Sequence, residues 1–228
     1  IDNREIASLQ GGVSINAAPG EPYGAIRGTD YIYDDNGNKV INSSGYYSKT
    51  STSNNIIGNV QADWTGGVQN TIAYKNLSFD FLIDVQKGGD IFSLDTWYGF
   101  ATGIYDRSVG TNELGNPIRN TIADGGGVIL DGVTADGDVN TVRARTDYFG
   151  NPYGYARNAN KGHVYDASFV KLREASLTYN FGAELLDRTF INRMSLSLIG
   201  RNLWIIHKNI PYSDPEAGLS SGNIQGYQ

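Results

Sequence analysis

The chain lacks cysteine altogether and has one methionine and two histidines among its 228 residues. The absence of cysteine excludes a disulfide framework, a thiol nucleophile and a thiolate metal site. No apolar run approaches the roughly 20 residues of a membrane-spanning helix, whereas a barrel strand needs only about 9–11 residues of weaker alternation. The net charge of −6 argues against a nucleic-acid partner, which requires a basic face to neutralise phosphates.

The composition favours strands and turns, since the chain holds 29 glycines and 15 tyrosines. It opens at Ile1 without an initiator methionine or a secretory signal. We therefore expect a mature or trimmed portion of a longer protein.

The most informative pattern is an alternation of apolar and polar residues with a period of two. It appears in three segments, whose apolar members are Leu77, Phe79, Phe81, Ile83 and Val85, then Ala175, Leu177, Tyr179 and Phe181, then Met194, Leu196 and Leu198. Such strands contact different surroundings on their two faces. The apolar face meets either the core of a soluble sandwich or the lipid around an outer-membrane barrel.

The lengths of the connections favour a barrel. Lys75-Asn76 predicts a tight hairpin in which asparagine tolerates positive φ, and residues 182–192 form a short linker. Residues 89–166 predict one long interruption with a short helix near 90–102. Barrels of the outer membrane combine short periplasmic turns with long extracellular loops. Tyr74, Tyr179, Phe181 and Trp204 would lie near the membrane interfaces, where aromatic girdles occur.

The number of strands points to an incomplete barrel. We predict five clear strands and one or two weak ones, including a strand over 22–33, with residues 1–20 and 42–59 irregular. The smallest bacterial barrels have about eight strands. An irregular segment, 210–228, follows the last clear strand.

Several short motifs occur in a fixed order along the chain. They are Ile57-Gly58-Asn59, Asp63-Trp64-Thr65-Gly66-Gly67, Tyr74-Lys75-Asn76, Gly88-Gly89-Asp90-Ile91, Ser168-Phe169-Val170-Lys171-Leu172-Arg173-Glu174, Leu177-Thr178-Tyr179, Gly200-Arg201-Asn202-Leu203-Trp204 and Asp214-Pro215-Glu216. As a set they resemble the C-terminal part of the barrel in the SusC-like, RagA-type family of TonB-dependent transporters. The resemblance covers roughly residues 20–228, although 105–166 contributes little to it.

This resemblance implies an all-β fold, an antiparallel transmembrane segment of a 22-stranded outer-membrane barrel. Residues 1–228 would be its C-terminal part, with the plug domain and closing strand outside this chain. It implies import of glycans or oligopeptides, energised by TonB through an absent N-terminal region, with a SusD-like surface lipoprotein as lid. It places 89–166 and 206–228 outside the cell and Lys75-Asn76 and 182–192 in the periplasm. We expect no enzymatic activity and no cofactor.

The chain departs from the family pattern in two places. Val60-Gln61-Ala62 occupies the position where the family usually has a proline, and no closing strand with a terminal aromatic residue follows Gln228.

We expect ligand binding by aromatic side chains of the long loop, since their faces suit sugars or peptides. Our candidate substrate-binding residues are Trp97, Tyr98, Tyr105, Tyr148, Tyr153 and Tyr155. The loop also carries Phe100 and Phe149. The alternative is a structural role, in which these rings pack the loop against itself or against the lid.

Other chemistry is less favoured. Asp34-Asp35-Asn36-Gly37-Asn38 has oxygen ligands at tight spacing but lacks the distal acidic residue of a calcium loop, so we predict a polar turn and no metal site. Asp80 and Asp84 share one strand face and do not flank a cleft as glycosidase carboxylates do. The main competing function is a secreted or surface β-rich carbohydrate-binding or adhesion module.

Overall fold

The structure, a computed structural model, describes residues 4–187 and 189–218. The chain divides into two compact units. We call Ala62–Gly89 with Asp166–Pro215 the sheet unit, and Ile1–Gln61, Asp90–Tyr165 and Glu216–Gln228 the loop unit.

The described residues form twelve strands and two α-helices. In chain order the strands are β1 (Arg4–Leu9), β2 (Val13–Ala17), β3 (Ala25–Gly28), β4 (Asn55–Asn59), β5 (Ala62–Tyr74), β6 (Leu77–Gly88), β7 (Asp90–Phe92), β8 (Val128–Ile129), β9 (Arg143–Ala144), β10 (Val164–Asp166), β11 (Phe169–Asn180) and β12 (Ser195–Lys208). The helices are α1 (Leu94–Thr102) and α2 (Ala183–Leu186), and 3-10 turns cover Asp106–Ser108, Tyr155–Arg157 and Asn160–His163.

The sheet unit is one antiparallel sheet in the order β12-β11-β6-β5. Its strands have 12 to 14 residues, which exceeds the roughly 9–11 residues that a barrel strand needs to span a bilayer. The hairpin between β5 and β6 is confirmed, because Tyr74 pairs directly with Leu77. The residue with positive φ is Lys75 (+52°) and not Asn76, so that detail of the prediction was wrong.

The apolar residues of this sheet share one face, as the alternation predicts. Cross-strand pairing brings Val68 to Ile83, Phe79 to Leu177, and Leu177 to Leu198. The face is exposed in the chain, with 59% of Val68 and 75% of Leu198 accessible. Tyr74 and Tyr179 lie beside Leu77 at the hairpin end, and Trp204 pairs with Leu172 in the other half of the sheet.

A β-bulge reverses the alternation within β11. Leu172 pairs with Ile83 and Ala175 with Phe81, so the four residues 172–175 on β11 lie opposite the three residues 81–83 on β6. The extra residue lets even-numbered positions before Arg173 and odd-numbered positions after it occupy the same face. This explains why Lys171, Arg173 and Glu174 do not continue the alternation that runs from Ala175 to Phe181.

The loop unit contains a second antiparallel sheet, in the order β1-β2-β3-β4. Val13, Ile26, Ile57 and Phe92 form its buried core, and Leu94, Trp97 and Val164 pack against them. The prediction of an irregular first twenty residues was wrong, since β1 and β2 lie there. These strands have only five or six residues, too few for a clear periodic pattern. For the same reason β4 was missed within 42–59, and the strand predicted over 22–33 shrinks to β3.

Local chemistry fixes the helix that was predicted near 90–102. Ser93 caps its start by accepting a hydrogen bond from the Thr96 amide at 3.1 Å, and Gly103 ends it with φ of +84°. Residues before Ser93 form strand β7 instead. Asp90 in this strand accepts a hydrogen bond from the Asn59 amide at 2.9 Å, which joins two of the sequence motifs.

The short connections are ordered by their own side chains. The predicted polar turn is confirmed, since Asp34 Oδ1 accepts hydrogen bonds from the amides of Asn36 and Asn38 at 2.9 and 2.7 Å. The Asn38 side-chain amide also donates to Asp34 Oδ2 at 3.0 Å, and this bond, together with the backbone bonds, lowers the pKa of Asp34. The linker 182–192 contains α2, and the predicted terminal segment is described only as far as residue 218. Within the described residues, no helix combines the length and apolar character needed to cross a membrane.

Candidate ligand-binding surface

Helix α1 positions the first two of the candidate aromatic residues. The Trp97 side chain packs partly against the core of the loop unit, which anchors it. The Tyr98 ring lies edge-on to it, with centroids 4.8 Å apart and planes at 74°. The Tyr98 hydroxyl accepts a hydrogen bond from Gln10 Nε2 at 2.7 Å. Both rings are therefore held by contacts outside the helix.

Tyr155 joins this pair from a distant part of the sequence. Its ring centroid lies 5.0 Å from that of Trp97 and 5.8 Å from that of Tyr98. The preceding Gly154 permits the approach, because a Cβ there would lie 2.8 Å from the Ala101 amide nitrogen and 2.9 Å from the Trp97 carbonyl oxygen. Tyr155 itself adopts φ of +52°, which is strained for a side chain of this size.

Tyr148 extends the cluster, with its ring centroid 5.8 Å from that of Tyr155. We call Trp97, Tyr98, Tyr148 and Tyr155 the aromatic shelf. All four are partly exposed, and the neighbouring Phe149 is 67% exposed. Rings in such an arrangement offer apolar faces next to hydroxyl and indole hydrogen-bonding groups. That combination suits a sugar ring or a peptide.

The structure places the other two candidates elsewhere in the loop unit. The Tyr105 ring lies 5.8 Å from the buried Phe100, and its hydroxyl bonds to Asp95. The Tyr153 ring lies 4.6 Å from the Arg107 guanidinium, and burial raises the pKa of its phenol. Both contacts agree with the alternative interpretation, in which aromatic residues pack the loop against itself.

The shelf borders a cavity of about 330 Å³. Its lining consists of Gly11, Gly12, Thr29, Lys49, Ser53, Trp97, Tyr155, Asn158 and Asn160. The volume lies at the lower end of the range of small-molecule sites, and the lining is mostly polar, with the Trp97 and Tyr155 rings as its large apolar surfaces.

A buried network of hydrogen bonds holds Asn158, one of the residues that line this cavity. The Tyr31 hydroxyl donates to Asn158 Oδ1 at 2.8 Å, and Asn158 Nδ2 faces His163 Nε2 at 3.4 Å. The other ring nitrogen of His163 lies 3.0 Å from Thr96 Oγ1. The Ala159 amide also donates to Asn158 Oδ1, which fixes the amide orientation and makes Nε2 the acceptor. His163 is therefore neutral with its proton on Nδ1.

Burial of His163, with a contribution from Arg107, lowers its pKa to about 3. Protonation would also place two donors, His163 Nε2 and Asn158 Nδ2, against each other. Sequence reasoning missed this network, since Tyr31 and Asn158 are 127 positions apart.

The polar face of the sheet unit holds its acidic residues in cross-strand contacts. Asp84 accepts a hydrogen bond from Arg173 Nε at 2.7 Å. Asp80 accepts hydrogen bonds from Thr71 Oγ1 at 2.5 Å and Ser176 Oγ at 3.3 Å. These contacts agree with a structural role for both carboxylates. The described residues contain no group of three or more His, Asp or Glu side chains suited to a metal ion.

Comparison with known proteins places these features in context. No protein-family model matches the chain. It is 28% identical to "TonB-dependent receptor P3" of Formosa agariphila over 170 residues, which are 75% of this chain and 14% of that protein. It is 25% identical to "TonB-dependent receptor P26" of the same organism over 201 residues, which are 86% of this chain and 17% of that protein.

The chain is thus similar in sequence to TonB-dependent receptors over most of its length. The fold agrees, since solved structures of the RagAB peptide importer match it over 100% of its length at TM-scores of 0.59 and 0.56, with 17% and 18% identity. The chain covers 22–23% of those chains. The prediction of an antiparallel outer-membrane barrel segment is confirmed, and the proteins that the chain matches are named as receptors and as a peptide importer.

Proposed function

We propose that this chain is the C-terminal part of the barrel of a TonB-coupled importer that carries glycans or oligopeptides across the outer membrane. The sheet unit contributes strands that contact lipid, and the loop unit contributes a substrate-contacting surface. Because the chain spans 14–17% of the relatives it matches in sequence, the activity belongs to a longer protein. TonB coupling would require an N-terminal region outside this chain.

The observation that carries this proposal is the exposed apolar face of the sheet unit together with the aromatic shelf. A soluble module would cover apolar side chains such as Val68, Ile72 and Leu198, whereas lipid replaces water around them in a barrel. The exposure therefore favours the importer over a secreted adhesion module. Resemblance to SusC-like transporters supports a SusD-like surface lipoprotein as the lid and an extracellular position for residues 89–166.

The shelf supports capture of an oligomer. Successive aromatic rings provide stacking area at low conformational cost, and they lie beside the cavity. Import itself needs no covalent chemistry from these residues. Binding energy and TonB-driven opening of the channel are sufficient.

Uptake of labelled oligosaccharides and oligopeptides by cells tests the proposal. We expect uptake by cells with the complete receptor and none after deletion of its gene or of TonB. Substitution of both Trp97 and Tyr155 by alanine removes two stacking surfaces and should weaken uptake roughly tenfold or more.

Tyr23→Ala is the matched control, because Tyr23 is a 61% exposed tyrosine of the loop unit outside the shelf. Uptake that survives loss of TonB would overturn the proposal. Equal effects of the control and the double variant would remove the shelf from it.

A further inference from the structure

The apolar face of the sheet unit has a height that can be compared with that of a membrane. On β5, Trp64, Val68 and Tyr74 are even-numbered positions of one strand and therefore lie on this face. At a rise of about 3.4 Å per residue and a tilt of about 35–45°, Trp64 and Tyr74 lie roughly 24–28 Å apart along the membrane normal. Outer-membrane barrels have an apolar band of about 25 Å with aromatic borders. Tyr74 therefore marks the membrane interface at the hairpin end of the sheet.

The linker 182–192 between β11 and β12 lies at the same end of the sheet. The Asn180 amide donates a hydrogen bond to the Asn76 carbonyl oxygen in the β5–β6 hairpin at 2.8 Å. The Phe181 amide donates to the Met194 carbonyl oxygen at 3.0 Å, so the chain leaves and re-enters the sheet at one level. Both ends of the linker are therefore held beside the hairpin, at the level of the interface.

The apolar face of the sheet continues as far as this linker. Tyr179 pairs with Leu196, and the Phe181 ring meets the Tyr179 ring edge-on with centroids 5.1 Å apart. Leu196 is 68% exposed and Met194 is 39% exposed. The surface that contacts lipid in a barrel thus reaches the residues that flank the linker.

The linker itself presents two apolar side chains from an ordered turn. Leu185 is 66% exposed and Phe190 is 96% exposed. Thr189 Oγ1 donates to the Leu186 carbonyl oxygen at 2.8 Å and accepts a hydrogen bond from the Ile191 amide at 3.1 Å. Leu186 is buried. The exposure of Phe190 is therefore a property of a hydrogen-bonded turn that is tied to the rest of the unit.

We propose that the linker 182–192 is an interfacial anchor, whose Leu185 and Phe190 side chains insert between the lipid headgroups at the hairpin end of the barrel. Its partner is the surface of a phospholipid bilayer, because the linker continues a face that already contacts lipid. Neighbouring charged side chains would remain among the headgroups or in water. They are Glu184, Asp187 and Arg193, and all three are exposed. The anchor does not depend on which oligomer is imported.

Depth measurements on the complete receptor in lipid nanodiscs test this proposal. On a cysteine-free background, spin labels at Leu185→Cys and Phe190→Cys report contact with oxygen, which concentrates in hydrocarbon, and with a water-soluble nickel chelate. We expect the ratio of oxygen to nickel accessibility at both sites to shift towards its value at Leu198→Cys, on the apolar face. Glu184→Cys is the matched control on the same linker, and its label should respond to nickel.

A second variant shows whether the Phe190 ring holds the linker in the membrane. Phe190→Ser removes the most exposed apolar side chain of the linker, and should move a label at Leu185→Cys towards water. Asn192→Ser, at an exposed polar position of the same linker, should leave that label at its original depth. The Leu198→Cys label should be unchanged in both variants, which shows that the barrel itself is intact.

The outcomes separate the anchor from the barrel to which it belongs. A Phe190→Cys label as accessible to nickel as the Glu184→Cys label would overturn the anchor, and so would a label protected from both reagents, since another part of the receptor would then cover the linker. In either case a lipid-exposed Leu198→Cys label would leave the barrel and the import function standing. A water-exposed Leu198→Cys label would count against the barrel itself.

Discussion

The two units of this chain use apolar residues in opposite ways. In the loop unit, Phe92 and Ile26 are fully buried within a core that short strands share with a helix. In the sheet unit, Leu198 and Val68 remain mostly exposed on one face of a sheet built from long strands. One unit stabilises itself by excluding water, whereas the other needs a surrounding apolar phase. The same residue types therefore predict different consequences of mutation.

The largest effect should follow from loss of a core ring in the loop unit. Phe92→Ala leaves a cavity beside Val13 and Ile57 and should destabilise this unit by about 3–5 kcal/mol. Hydrogen exchange of the complete receptor should then show faster exchange in β2 and β4, with the sheet unit unchanged. Equal acceleration in both units would break the distinction between them.

A charge on the exposed apolar face should also be costly in a membrane. Leu177→Arg places a cation among Phe79 and Leu198 and should destabilise the barrel by about 2 kcal/mol, between the costs at the bilayer centre and at the interface. Denaturant unfolding of the receptor in lipid vesicles measures this. The neighbouring Thr178→Arg, on the polar face, is the control and should cost much less. Equal costs would contradict lipid contact by the Leu177 face.

Acid should weaken the loop unit through His163. Its pKa is about 3 in the folded chain and about 6.5 when exposed, so the unfolded unit binds the proton first as the pH falls. The stability is fully present above pH 6.5 and is lost as the pH falls towards 3. Between pH 7 and 5 the loss should be about 2 kcal/mol.

Hydrogen exchange of the loop unit at both pH values, corrected for intrinsic rates, checks this sign. His163→Gln should flatten the dependence, while His207→Gln, at an exposed histidine of β12, should retain it. A stability that increases on acidification would contradict the neutral, Nδ1-protonated assignment.

The smallest effect should come from a polar contact on the sheet. Thr178 Oγ1 and Ser197 Oγ lie 2.8 Å apart across β11 and β12 in an exposed position. Thr178→Ala should therefore cost only about 0.2–1 kcal/mol. Denaturant unfolding in vesicles provides the value, and a cost comparable to that of Leu177→Arg would show that the polar face carries more of the stability than we propose.

The sheet unit could be predicted from the sequence because its information is local and repeated. Each long strand alternates over many residues, the β5–β6 hairpin closes within two residues, and even the bulge is visible as a change of parity between Leu172 and Ala175. Strands β1 to β4 lack this redundancy. They are short, and partners such as β3 and β4 are separated by a segment rich in serine, threonine and asparagine.

The candidate site was predictable in residue type but not in arrangement. Aromatic side chains in a long loop suggested ligand contact, yet nothing local indicates that Tyr155 meets Trp97 while Tyr105 turns to Phe100. That selection depends on the approach of Gly154 to α1, 52 or more positions away.

Because Arg173 is an extra residue in β11, even-numbered positions before it lie on the same face of the sheet as odd-numbered positions after it. A chimera that exchanges the part of β11 before Arg173 must therefore include Arg173 itself. Otherwise every side chain beyond the junction will lie on the opposite face of the sheet. Deletion of one amino acid there should be more harmful than many substitutions. It would turn apolar side chains away from the lipid and charged side chains towards the acyl chains. When loops are exchanged between related receptors, the junction in β11 should therefore follow Glu174, towards the end of the sheet that holds the β5–β6 hairpin.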